Sequence, residues 1–486
     1  MNCLFLCFVE LSLATYISLA ILFSIIFSNF KSYSFPQLLS VITSSSIFVF
    51  LMVLVQLIDV TDPSFNILNG LSIASPFNNF FQTLLFISGF FILFLNRSYY
   101  STRGLFQYEF DLLLMFSFLA LTILCYSNDF LIVYVILELQ SLSFYILASF
   151  WKNSEYSNEA GLKYFVIGAF SSCLLILSFS FIYLSLGSTS FDIIGAISSE
   201  EPIKINLTFF GIVLFLIAIF FKVGAAPSHM WICDVYEGAL ICISAFFSIV
   251  PKTIIFCLLF KFVLIAFLNF NIVFSPLLTL AGLASVAVSS IVALYQKKMK
   301  RLLAYSAIGH VGFILIAFSS GKLDSVKSSI IYLIIYMIMS LGLFSLLMAF
   351  STRGFLFKFL INWSFLKRWN ITLALSLAVL LFSIAGIPPL AGFYSKLNVL
   401  MVLLLQERSV VALILVLFSC VSCFFYIRLI KILFFNLPSN TTLFDRSCLR
   451  GFEFPLTISF LFVTFFLVKP ESMNNFVSYV TLLFIF

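Results

Sequence analysis

Glu138 and three lysines, Lys222, Lys252 and Lys396, stand inside apolar runs that hold almost no other charge. Burying one such charge in hydrocarbon costs roughly 2.5 to 3.5 kcal/mol, so side chains of this kind line polar paths along which protons or ions move. A carboxylate and an ammonium about 4 Å apart attract by about 4 kcal/mol at an effective dielectric near 20. The two magnitudes are similar. Moving Glu138 toward or away from Lys222 would therefore load or unload a proton, and a chain of such sites is a proton relay. A static ion pair that only locks two helices is the bland alternative. Three lysines facing one carboxylate leave at least one lysine without a fixed partner, which favours the relay. His229 and His310 are the two histidines of the chain and fall near the same runs. Gly309 and Gly312 flank His310, so water or another helix can come close to its ring. Glu10 is either a further proton site or a contact to a neighbouring subunit.

The elements that must position these groups follow from composition. Hydrophobic residues make up 63% of the 486 and charged residues 9%, which excludes a soluble domain of this length and implies a polytopic membrane protein. A helix needs about 20 residues to cross a hydrocarbon core of about 30 Å. Runs of that kind cover 3–29, 37–58, 80–96, 110–126, 129–151, 162–187 and 207–232. They continue over 240–267, 273–296, 303–319, 327–350, 370–406, 410–434 and 453–468. The reading is an all-α polytopic membrane protein of about 14 transmembrane helices. The runs are continuous rather than alternating, which argues against a barrel. The first run is longer than a signal-peptide core, lacks a basic leader and is expected to remain as a span.

Two of these spans are interrupted. Gly224 and Pro227 follow Lys222, and Pro388-Pro389 precedes Lys396 by seven residues. Proline removes a helix hydrogen bond and clashes with the preceding turn. Paired breaks, each beside a lysine, suggest two inverted five-helix repeats like those of transporters, in which half-helix ends coordinate ions or order water. The expected organisation is 1–109 (helices 1–3), 110–267 (first repeat, helices 4–8), 268–434 (second repeat, helices 9–13) and 435–486 (a loop and the last helix).

Lys and Arg concentrate in the loops of one side, among them Lys152, Lys163, Lys297, Lys298, Lys300 and Arg301, so both termini are placed on the opposite face. The net charge of +7 is dispersed over these short loops and implies no nucleic-acid partner. Cys420 and Cys423 form a C-x-x-C inside an apolar span, where thiols pack as small hydrophobes. The 66 phenylalanines are read as codon bias of an AT-rich organellar genome.

Five stretches carry a resemblance. They are Phe221-Lys-Val-Gly-Ala-Ala-Pro-Ser-His-Met-Trp231, Asp234-Val-Tyr-Glu-Gly238, Ala245-Phe-Phe-Ser-Ile-Val-Pro-Lys252, Lys297-Lys-Met-Lys-Arg-Leu-Leu-Ala-Tyr-Ser-Ala-Ile-Gly-His310 and Gly386-Ile-Pro-Pro-Leu-Ala-Gly-Phe-Tyr-Ser-Lys396. In this order they resemble the NADH dehydrogenase subunit 2 family, antiporter-like membrane subunits of respiratory complex I, over about residues 100 to 435. Asp234-Val-Tyr-Glu-Gly238 and the lysine at 396 are similar to subunit 2 rather than to subunits 4 and 5. The resemblance implies that Glu138 pairs with Lys222 in a first half-channel, that Lys252 connects through the centre, that His310 belongs to the hydrated axis, and that Lys396 faces the exit. It implies a mitochondrial inner-membrane protein with its termini on the intermembrane-space side. Its partners would be other membrane-arm subunits and lipids.

NADH, flavin, iron-sulfur clusters and ubiquinone would bind those partners, since this chain offers no dinucleotide loop or cluster ligands. Two departures stand out. Ala239-Leu-Ile-Cys-Ile243 replaces a Pro-Thr-Pro-like stretch, which predicts a less kinked start to the eighth span. Ser228 replaces a bulky apolar residue, which predicts a more polar turn. The rival reading is a cation/proton antiporter acting outside complex I, although a sodium site would want several oxygens where only Glu138 is clearly intramembrane.

Overall fold

A computed structural model of the chain describes residues 12–20, 65–67, 70–103, 109–200, 205–351, 358–436 and 451–482. The expected spans over 3–29 and 37–58 lie outside the described residues except for a helix over 12–20, and so does Glu10. Lipid offers the backbone no hydrogen-bond partners, so a chain this apolar must satisfy them within its own helices. Apart from one small hairpin, β1 (Phe65–Ile67) and β2 (Ser72–Ala74), paired antiparallel with Phe65 opposite Ala74, the described elements are helical.

The helices are α1 (Pro76–Arg103), α2 (Glu109–Tyr126), α3 (Phe130–Ala148), α4 (Glu155–Leu186), α5 (Phe191–Glu200), α6 (Ile205–Val223), α7 (Met230–Gly238) and α8 (Ile241–Lys261). After a π-turn over Phe262–Ala266 come α9 (Asn271–Ala293), α10 (Met299–Phe318), α11 (Leu323–Ser351), α12 (Ile371–Ala385) and α13 (Ala391–Leu405). The chain closes with α14 (Ser409–Phe435), α15 (Glu453–Phe465) and α16 (Pro470–Leu482). Among the described residues, 9 helices are long and apolar enough to cross a membrane, or 10 if α15 and α16, bent by 95°, form one broken span.

The run expected over 207–232 is two helices, α6 and α7, and the run over 370–406 is α12 and α13. Each break is built on a glycine with a left-handed backbone, Gly224 at φ 78° and Gly386 at φ 83°, a conformation that costs other residues a Cβ clash. Helix α8, by contrast, starts regularly at Ile241 and keeps Pro251 within it. Helix α5 was not among the expected spans: at 10 residues it is too short to cross.

The chain forms two compact units. One holds the described residues up to Val223 together with Gly238–Val273, and the other holds Gly224–Glu237 and most of Phe274–Thr481. In the first, α4 lies along α6, α2 along α3, and α1 against α8. Phenylalanine rings fill the joints: Phe215 stacks on Phe262 at 3.6 Å, and Phe130 meets Phe179 at 4.5 Å and Phe191 at 5.0 Å. In the second, α11 is the central helix, with 94% of its most apolar stretch buried, and packs against α10, α13 and α15. Only 22% of the corresponding stretch of α14 is buried, which makes it an outer helix. Serines survive in both cores because their hydroxyls donate back to the preceding turn, as Ser117 does to Leu114 O at 2.6 Å and Ser285 to Gly282 O at 2.7 Å.

Helices α12 and α13 approach so closely that a Cβ on Gly392 would sit 1.8 Å from the carbonyl oxygen of Ser383. Gly392→Ala should push the half-helices apart and lower the amount of assembled protein several-fold, within the range of overpacked cores. Quantitative native gels of membranes from the variant measure this, and a wild-type level would show that α13 shifts without cost.

Candidate functional site

A helix end leaves its last carbonyls without intrahelical partners and gives them partial negative charge. The break after α12 uses this. Lys396, 9% exposed, donates from Nζ to the carbonyl of Ala385 at 2.8 Å. Gly386 makes the approach possible, because a Cβ there would lie 2.8 Å from Cδ and 3.1 Å from Nζ of Lys396. The ammonium also stands 5.5 Å from the centre of the Phe313 ring, within cation–π range. Cys423 donates its thiol to the same Ala385 carbonyl at 3.1 Å, and both Cys420 and Cys423 are free thiols.

His310 is buried on α10, with Nδ1 2.8 Å from the hydroxyl of Tyr332 and the Tyr336 ring centre 5.1 Å from its own. Lys396, His310, Ser289, Ser306 and Tyr426 line one cavity of about 20 Å³. A second, also about 20 Å³, is lined by His310, Ser306, Tyr336 and Ser340. Each has room for one water molecule and offers it polar partners. The second unit thus brings His310 and Lys396 to a shared polar space.

In the first unit, Glu138 is half-buried on α3. Its Oε2 lies 3.4 Å from the Ser141 hydroxyl, and its Oε1 is buried without a hydrogen bond. Lys222 is half-buried in the last turn of α6, just before the break. Glu138 is the carboxylate whose charge reaches it, although among the described ion pairs none joins the two directly. Lys252 is 5% exposed within α8 and follows Pro251, whose missing N–H leaves a carbonyl one turn back without its helical donor. His229 is buried and turns Nδ1 toward Pro227 O at 3.2 Å, and Ser228 donates to Ala225 O at 2.8 Å, so this turn is polar as read from the sequence.

Several charged groups were not singled out from the sequence. Glu237 sits between Lys298 and Arg301, and Arg301 also meets Asp234 at 3.3 Å. Two of the motif stretches are therefore bound to one another through their charges. Lys261, at 3% exposure, and Asp111, at 2%, are buried as well. Each falls at the end of an apolar run, where a charge reads as a loop residue. The signal available was the length of the run: the one over 240–267 extends beyond Lys261, so that lysine cannot be outside it.

The sequence profile of the NADH:quinone oxidoreductase/Mrp antiporter transmembrane family matches residues 127–424. The chain belongs to this family. Its relatives include NADH-quinone oxidoreductase subunit N of Pelagibacter ubique, 34% identical over 423 residues, covering 87% of this chain and 88% of the relative. NADH-ubiquinone oxidoreductase chain 2 of Marchantia polymorpha is 34% identical over 473 residues, covering 96% of each. Among solved structures, a chain of respiratory complex I from Thermus thermophilus matches with a TM-score of 0.77 at 23% identity, over 96% of this chain and 98% of that one. A chain of the Mrp complex from Dietzia sp. matches with a TM-score of 0.80 at 14% identity, over 98% and 96%. These likenesses in fold extend over nearly the whole chain.

The Glu237 cluster predicts a stability effect. Glu237→Gln or Arg301→Met should leave a partly buried charge underpaired and cost about 3 kcal/mol or somewhat less given the exposure of Arg301. The expected outcome is a lower temperature of inactivation for each variant and a combined effect smaller than the sum. A thermal series on the two single variants and the double variant measures it, and full additivity would show that the charges act separately.

Proposed function

We propose that this chain is the antiporter-like subunit 2 of proton-translocating NADH:ubiquinone oxidoreductase, in the mitochondrial inner membrane with both termini on the intermembrane-space side. It has about 14 spans, with two inverted repeats over 110–267 and 268–434 following helices in 1–109 and followed by a last segment in 435–486. It carries no redox centre: NADH, flavin, iron-sulfur clusters and ubiquinone bind partner subunits, and electron transfer there drives the protons moved here. The observation that carries this reading is Lys396, an ammonium docked on a freed helix carbonyl and sharing a water-sized cavity with His310. An ammonium held by one carbonyl beside a water-sized cavity can exchange a proton without a permanent carboxylate partner.

In this relay Glu138 is the acceptor that sets the state of Lys222, Lys252 passes the proton inward, and His310 and Lys396 carry it on. The absence of a direct Glu138–Lys222 ion pair suits a pair whose separation is the switch, since each ångström of separation changes an attraction of about 4 kcal/mol. The similarity in fold to an Mrp complex chain supports a second reading, a cation/proton antiporter acting outside complex I. A native gel of solubilised membranes separates the two: comigration with the flavin-containing NADH-oxidising band supports the complex I subunit, and migration apart from it supports the antiporter.

Lys222→Met should leave assembly intact and lower both proton pumping and coupled NADH oxidation. Glu138→Gln should do the same, while Cys420→Ser, which removes an exposed thiol, should leave both unchanged. NADH-driven acidification of sealed vesicles is the measurement, and wild-type pumping by Lys222→Met would end the relay reading.

A further inference from the structure

Lys261 has no part in the relay described above, yet it is among the most buried charges of the first unit. Helix α8 starts beside Gly238, which lies against Tyr156 just beyond Lys152 in the basic loop after α3, so this end is the basic-loop side. Lys261 is at its far end. There its ammonium donates to the carbonyl of Cys125 and lies 3.4 Å from that of Ser127, where α2 gives way to α3. Lys252 lies nine residues back on the same helix, about 14 Å away along the axis.

A simple helix cap would account for the carbonyl contacts. It does not account for what surrounds them. The loop after α2 is already tied by its own bonds: Ser127 N to Ile123 O at 3.1 Å, Asn128 N to Leu71 O at 3.0 Å, and Phe191 N to Asn128 O at 2.9 Å. Thr189 donates to Asp129 Oδ2 at 2.8 Å, and Asn128 Nδ2 donates to Asp192 Oδ2 at 2.9 Å. The ionisable neighbours of Lys261 are the thiols of Cys257 and Cys125 and the carboxylate of Asp192, which accepts from Asn128.

Directly after Lys261 the helix widens into the π-turn Phe262–Ala266, a rare feature that re-aims side chains. It sets Phe262 on Phe215 at 3.6 Å and near Phe130 at 5.9 Å and Phe191 at 6.5 Å. A buried cation, a laced loop and a layer of phenyl rings thus lie together at one end of the unit.

We propose that Lys261 is a fixed positive plug that closes the first unit to protons at the face opposite the basic loops, so that protons reaching Lys252 cannot escape there. The inference rests on the proton-translocating reading. A positive charge held among backbone carbonyls at the end of the unit repels protons and other cations, as cationic barriers do in water-selective pores, and the phenyl rings beside it offer no hydrogen-bond partner to a chain of water. Lys261 is therefore a positioning residue for the direction of flow and does not carry the proton.

The test uses the assembled complex in liposomes, with Lys261→Arg, Lys261→Gln and Cys257→Asp. Glutamine keeps hydrogen-bond donors without the charge. Aspartate at 257, one helical turn before Lys261, keeps the ammonium and its carbonyl bonds but neutralises them. Passive decay of an imposed pH gradient is read without NADH, and protons pumped per NADH are read separately. The expected result is a several-fold faster decay and a lower proton yield for Lys261→Gln and Cys257→Asp, with NADH oxidation maintained and Lys261→Arg as tight as wild type. Wild-type tightness in either neutralised variant would overturn the plug and leave Lys261 a helix cap. If Lys261→Gln does not assemble, Cys257→Asp decides alone, and failure of both while Lys261→Arg assembles would likewise mark a folding role. Because the leak is measured without turnover, it is independent of Lys222→Met, which tests the relay itself.

Discussion

The contact between the Lys396 ammonium and the Ala385 carbonyl depends on a constraint that governs the whole chain: in lipid, nearly every backbone polar group is already used by its own helix. A carbonyl becomes available where a helix stops or where a proline removes its donor. Gly386 stops α12 in a left-handed turn whose missing Cβ leaves the space through which the lysine reaches that carbonyl. The break, the glycine and the buried charge are therefore one device. Without the break the lysine would meet hydrocarbon at a cost of about 3 kcal/mol, and without the lysine the freed carbonyl would itself lack a strong partner.

The same device is only half repeated at Lys222. Gly224 breaks the chain after Lys222, again at positive φ, but the charge that reaches Lys222 is a half-buried carboxylate on another helix. A carbonyl is a fixed, neutral acceptor, whereas a carboxylate can be protonated or moved. The two lysines consequently suit different tasks in the proposed relay: Lys396 is held in place, and Lys222 would answer to the state of Glu138. The unsatisfied Oε1 of Glu138 fits a group that exchanges partners rather than one locked in a pair.

Much of this was legible in the sequence because lipid makes it so. Long apolar runs read directly as helices, and Gly and Pro beside Lys222 and Lys396 marked both breaks to within a few residues. What escaped reading depended on contacts between remote segments. Glu237 and the Lys298–Arg301 pair are more than sixty positions apart, and no local spacing links them. Helix α5 was invisible because its 10 residues match neither a span nor a simple turn. Lys261 was passed over for a different reason: a charge near the end of a run is ordinarily a loop residue, whereas the carbonyls of Cys125 and Ser127 hold this one inside.

Helix α8 then gathers the directional problem into one element. A relay that accepts protons from one side must refuse them from the other, or the gradient it builds discharges through its own polar groups. Lys252 and Lys261 share this helix and both are buried, so chemistry alone does not separate a carrier from a barrier. Their surroundings do. Lys252 follows a proline that frees a carbonyl mid-helix, whereas Lys261 is pinned by two carbonyls at the close of α2 and backed by stacked rings.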